Sequence, residues 1–171
     1  MPQDKTKLKT SRGWLIPALR YAWLTTKHKW FVFLAGRKIG CPLWRLLTHD
    51  LSKYGPHELI YYGRQFFGTG DHQEEFGKAW LHHQNINDHH WEYWIFRTKH
   101  DQDKNPSKIL PMSDGAVLEM ISDWFGASRA YEGAWPWFDE WTWYDENFKR
   151  MKLHPETEQK VKEKVWLFWK Q

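Results

Sequence analysis

The stretch LTHDLSK, residues 47–53, closes an apolar run and sets His49, Asp50 and Lys53 within two turns of one another. Helical spacing puts Leu43, Leu46, Leu47 and Asp50 on a single face, so Asp50 is predicted to point inward with the leucines. Removing a carboxylate from water costs several kcal/mol even after relaxation, so an inward acid needs an ion-pair partner, hydrogen bonds or a metal ion.

The same anomaly recurs to either side of this stretch. Residues 18–39 carry helical periodicity, with Leu24, His28, Phe31, Val32 and Ala35 on one face, and His28 therefore turns inward. Gly40, Cys41 and Pro42 punctuate the chain before the helix restarts. Gly55 and Pro56 introduce a helix over 57–67, and Gly68 to Gly70 separate it from another over 71–83. In HHQNINDHHWEYW (82–94), Asn85, Asn87 and Asp88 are turn and cap formers, so a new helix is expected from His89 through Arg97. Residues 98–111 read as an exposed loop able to serve as a lid. Ser113 and Asp114 cap a helix to about Tyr131, on which Ala116, Met120, Asp123 and Ala127 share a face, making Asp123 a further inward group. Helices over 137–151 and from Pro155 to Trp169 complete the chain, with no strand pattern and no internal repeat.

The expected fold is all-α and single-domain: a helical domain over 14–171 preceded by a flexible basic tail, 1–13. Of 171 residues 14 are Trp and 10 are His, both in excess of ordinary usage. The net charge of +4 is uneven, +9 through Lys53 and −5 beyond it. A scattered basic surface of this kind argues weakly for nucleic acid, and a small phosphorylated substrate is the preferred partner. Lone Cys41 and the absence of an apolar leader over 1–13 point to the reducing cytoplasm. Arg20, Lys27, His28 and Lys29 interrupt the apolar stretch 14–36, which reads as a soluble helix, with no membrane involved. Arg37, Lys38 and Arg45 read as a solvated face, or as a patch steering an anionic substrate. The tryptophans of 135–143 read as core, with ring stacking on a substrate as the alternative. Self-association is left open.

Taken in order, the inward groups are His28, His49 with Asp50, His82 or His83, His89 with His90, and Asp123. Imidazole and carboxylate donors suit Mn, Fe, Co, Ni or Zn, whereas calcium prefers oxygen alone. Five or six such donors fit two ions better than one, and Asp50, with two oxygens, is able to bridge them. Lys53 is either a solvated cation near a helix end or a phosphate contact. His72, His100 and His154 lack this context and read as surface residues, with His57 undecided.

This series resembles the HD superfamily of metal-dependent phosphohydrolases. HDLSK is similar to the HDxGK element of the HD-GYP phosphodiesterases. HDLSKYGPHE, AWLHHQNINDHHWEYW and MISDW, spread over residues 25–131, resemble a family of short bacterial and phage proteins of HD-like character. The resemblance implies an HD-like helical bundle with a metal site between helices. His28, His49, Asp50 and Asp123 match the core ligands, His83, His89 and His90 the extra ligands of two-metal members, and Lys53 the lysine that contacts substrate phosphate. It implies hydrolysis of a phosphate ester, a nucleotide foremost, by metal-activated water, with Asp50 and Lys53 catalytic and a divalent transition-metal pair as cofactor. The chain departs from the pattern in lacking a GYP element and in placing Ser52 where a glycine is usual. An HD-type diiron oxygenase and a non-catalytic, metal-stabilised binding module are the alternatives.

Overall fold

The computed structural model describes residues 13–97 and 107–170. The basic tail up to residue 12, His100 and most of the expected lid loop lie outside the described residues. Packing divides the chain into two compact units, each assembled from separate stretches. The first takes the chain up to Lys27 and Asp50–His83; the second takes His28–His49 and everything from Gln84 on.

Among the described residues there are seven α-helices, α1 (Leu15–Ile39), α2 (Leu43–Thr48), α3 (Pro56–Phe67), α4 (Gln73–Ile86), α5 (Asp114–Tyr131), α6 (Thr142–Phe148) and α7 (Pro155–Lys164). Three 3-10 turns and one antiparallel ribbon of two three-residue strands complete them, so the class is all-α, as expected. Along α1 the buried positions run Ala18, Tyr21, Thr25, His28, Val32, Ala35 and Ile39, alternating steps of three and four, while Leu24 and Phe31 flank this stripe half-buried. None of the described helices is long and apolar enough to cross a membrane.

In the first unit Tyr21 of α1, Tyr62 of α3 and Ala79 of α4 form the core, with Leu59, Phe67, Phe76 and Trp80 packed around them. Gly63 permits this closeness: a Cβ there would stand 2.8 Å from the backbone of Ala18. In the second unit α5 is the central element, and its Val117, Ile121 and Phe125 meet Ala35 and Ile39 on one side and Val161, Val165 and Phe168 on another. Ser113 caps α5 by accepting from the Ala116 N–H at 3.2 Å.

Three expectations are corrected. Residues 89–97 are not a helix: a 3-10 turn at Trp91–Trp94 leads into the strand Ile95–Arg97, which pairs with Ser107–Ile109. The aromatic and β-branched content of this stretch favours extended backbone over a helix already interrupted by Asn87 and Asp88. α2 stops at Thr48, and Asp50 adopts the left-handed conformation at φ 55°. Asp50 is buried because of that turn, while Leu43 and Leu47 of its expected helical face are exposed. The two last helices are also shorter than expected, α6 spanning Thr142–Phe148 and α7 giving way to a 3-10 turn at Val165–Phe168.

Candidate metal centre

In the second unit, α1 and α5 bring His28 and Asp123 together, and the segment after α2 adds His49. His28 Nε2 lies 2.9 Å from Asp123 Oδ1, His49 Nε2 lies 3.6 Å from the same oxygen, and the two nitrogens are 3.4 Å apart. Donors about 2.1 Å from one cation are separated by about 3.0 Å in octahedral and about 3.4 Å in tetrahedral coordination. The triangle therefore has the dimensions of one face of a coordination sphere. Both imidazoles are 1% exposed, so they are held away from bulk water.

Behind this triangle stands a second layer. Glu119 Oε1 is 3.0 Å from His49 Nδ1 and 3.2 Å from His89 Nδ1. An ionised carboxylate only accepts, so each ring presents Nδ1–H to it and keeps the Nε2 lone pair for a ligand. Glu119 is itself held by Arg45, whose Nε is 3.3 Å from Oε2 and whose two terminal nitrogens grip Asp88 at 3.0 and 2.6 Å. Burial pushes the Glu119 carboxyl up, but the hydrogen bonds and charge of His49 and His89 outweigh it and hold it down at about 2. Burial likewise pushes Asp123 up, and the bonds to His28 and His49 outweigh it, leaving the acid well below the usual carboxylate range. His90 is half-buried with its ring centroid 4.4 Å from that of His89. A pocket of about 340 Å³, with Trp44, Asn87 and Tyr93 among its lining residues, reaches His89 and Glu119.

The first unit repeats this two-layer scheme. Asp50, fully buried, accepts from Lys53 Nζ at 2.6 Å through Oδ2 and lies 3.2 Å from His83 Nε2 through Oδ1. On the other side of that ring His83 Nδ1 is 2.9 Å from Glu58 Oε2, and the Ser52 hydroxyl donates to the same oxygen at 3.1 Å. His82 pairs with Glu58 at 2.8 Å but is 48% exposed, so the choice between the neighbouring histidines falls on His83. Ser52, which stands where a glycine is usual in the resembling motif, thus supports the carboxylate that orients His83.

A model of a family described as "Family of unknown function (DUF5662)" matches residues 18–166. The chain belongs to the DUF5662 family. No curated protein and no solved structure matches it. The DUF5662 match runs through every residue of both clusters, from His28 to Asp123.

Of the ligands expected in this DUF5662 chain, the second unit brings His28, His49 and Asp123 together and joins His49 to His89 through Glu119, with His90 beside His89, and the first unit brings Asp50 and His83 together with Lys53. The solvated reading of Lys53 is corrected, since it is buried on Asp50. Arg45 is likewise not on a solvated face but buried between two carboxylates. His154 caps α7 by accepting from the Glu156 N–H, His72 bonds the Thr69 carbonyl half-buried, and His57 is exposed. Sequence reasoning passed over Glu58 and Glu119, and it read Asp88 only as a turn former. A signal for Glu119 existed: it lies one turn before Asp123, on a face shared with the small residues Gly115, Ser122 and Gly126.

Proposed function

We propose that this DUF5662 chain is a metal-dependent phosphohydrolase of HD type that acts on a small phosphate ester. The observation that carries the reading is the triangle of His28 Nε2, His49 Nε2 and Asp123 Oδ1, with edges of 2.9 to 3.6 Å and both imidazoles buried, backed by Glu119. In the second unit His28, His49, His89, His90 and Asp123, and in the first unit Asp50 and His83, are the residues that would hold divalent transition-metal ions. Such ions, when bound, polarise a phosphoryl oxygen and lower the pKa of water toward neutrality.

The chain's own groups do the rest. Glu119 and Glu58 hold three imidazoles in the tautomer that offers Nε2. Lys53 carries a desolvated ammonium that pairs with nonbridging phosphate oxygens as negative charge develops on them. Asp50, hydrogen-bonded to that ammonium, orients the attacking water. In the second unit, the pocket at His89 and Glu119, about 340 Å³, has room for a small ester.

The test is a phosphatase panel run with Mn, Ni, Co, Zn and Fe on wild type, Asp50→Ala and Lys53→Ala. Phosphate release by wild type, lost in Asp50→Ala and weakened in Lys53→Ala with metal content kept, is the expected result. Oxygen consumption by iron-loaded protein with no phosphate release would replace hydrolysis by oxygenation, and metal binding with neither activity would leave a structural module.

A further inference from the structure

We propose that the second unit carries a separate site for a small quaternary ammonium compound, in an aromatic corner formed by the segment before α6, by α6 itself and by the end of the chain. It does not depend on the metal reading.

Residues 132–146, EGAWPWFDEWTWYDE, contain five acids and no lysine or arginine in a chain whose net charge is +4. They line a pocket of about 180 Å³ walled by Phe138, Trp141, Trp166 and Trp169, with Asp139 and Asp145 among its lining residues. The rings do not lie flat on one another. Trp169 stands at 79° to Trp141 and at 86° to Phe138, with centroids 6.0 and 5.7 Å away, and at 42° to Trp166. Trp169 thus packs edge to face against Trp141 and Phe138, and the pocket lies among these rings. Both aspartates are exposed, and they are the charged residues among those lining the pocket.

The same aromatic cluster already accepts a cation from the chain itself. Lys38 Nζ sits 4.4 Å from the centroid of Phe168, whose ring meets Trp169 at 85°. A ring face attracts a cation through its quadrupole, most strongly when the cation sheds little water on arrival. A quaternary ammonium meets that condition: its methyl groups fill apolar walls, its charge is weakly hydrated, and the two carboxylates complement it. A bare metal ion or a primary ammonium loses more hydration there, and an anion is repelled. The ligand class therefore differs from the phosphate ester proposed for the histidine clusters, and the two sites fail or succeed separately.

The probe is choline, with 3,3-dimethylbutanol as its uncharged isostere, titrated into the full chain while indole N–H resonances and tryptophan fluorescence are followed. Saturable shifts of Trp141, Trp166 and Trp169 are expected with choline, and binding of the isostere weaker by roughly tenfold. Asp139→Asn with Asp145→Asn, both on exposed positions that leave the core intact, is expected to weaken choline by roughly tenfold with an unchanged circular dichroism spectrum. Equal affinity for choline and its isostere would overturn the proposal, as would unsaturable shifts or undiminished binding in the double variant.

Discussion

Glu119 takes two imidazoles on one oxygen and a guanidinium on the other, and this places one side chain in control of the orientation of His49 and His89. Glu119→Gln keeps the shape but removes the charge that selects the Nδ1–H tautomer; metal affinity is expected to fall by about 10- to 100-fold in a competition titration. The pH dependence follows from the same contacts. The Glu119 carboxyl is held at about 2 against an ordinary 4.5, so the folded state favours its ionised form. Its stabilising contribution is complete above pH 4.5 and is lost as pH falls from there toward 2. Urea titrations of metal-stripped protein should accordingly show wild type and Glu119→Gln converging in stability across that window. His28 and Asp123 were legible in the sequence because a titratable group on an apolar helical face is conspicuous by its cost, whereas His49 and His89 stood out only through their place in the ordered series of histidines and acids. Glu58, Glu119 and Arg45 were not, because charged residues are common on helices and only their burial among partners distinguishes them.

At the scale of elements, what decides the first cluster is how α2 ends. The Lys29 ammonium donates to the His49 carbonyl, the helix stops, and Asp50 turns left-handed at φ 55°. Asn and Gly tolerate that conformation whereas a β-carbon without a polar group is strained by about 1–2 kcal/mol. Asp50→Asn should therefore fold with a thermal midpoint closer to wild type than Asp50→Ala while losing activity to the same degree. The close approach of α3 to α1 gives a second expectation: Gly63→Ala forces a methyl group against the Ala18 backbone and should cost about 1–3 kcal/mol in urea unfolding. Helices with a sustained three-and-four pattern, α1 and α5, were readable to within a few residues from spacing alone. The strand Ile95–Arg97 was not, since three residues carry too short a period to separate from a helix and its partner Ser107–Ile109 is not adjacent in sequence.

At the scale of the molecule, the chain passes between its two units at Lys27–His28, at His49–Asp50 and at His83–Gln84. Each passage falls on a residue of the ligand series. This partition was not legible beforehand, because hydrophobic periodicity reports which face of a helix is buried and not which neighbours bury it. A ligand that binds only the folded state stabilises it by mass action, so stripping metal with a chelator should lower the melting temperature, and readdition of Mn or Zn should restore it. The central claim, that these buried imidazoles and carboxylates hold cations, is tested most directly by elemental analysis of protein purified without chelator, comparing wild type with His49→Ala and Asp123→Asn. The account predicts close to two transition-metal ions per chain in wild type and the loss of at least one in each variant. Equal metal content in all three, or none in wild type, would contradict it.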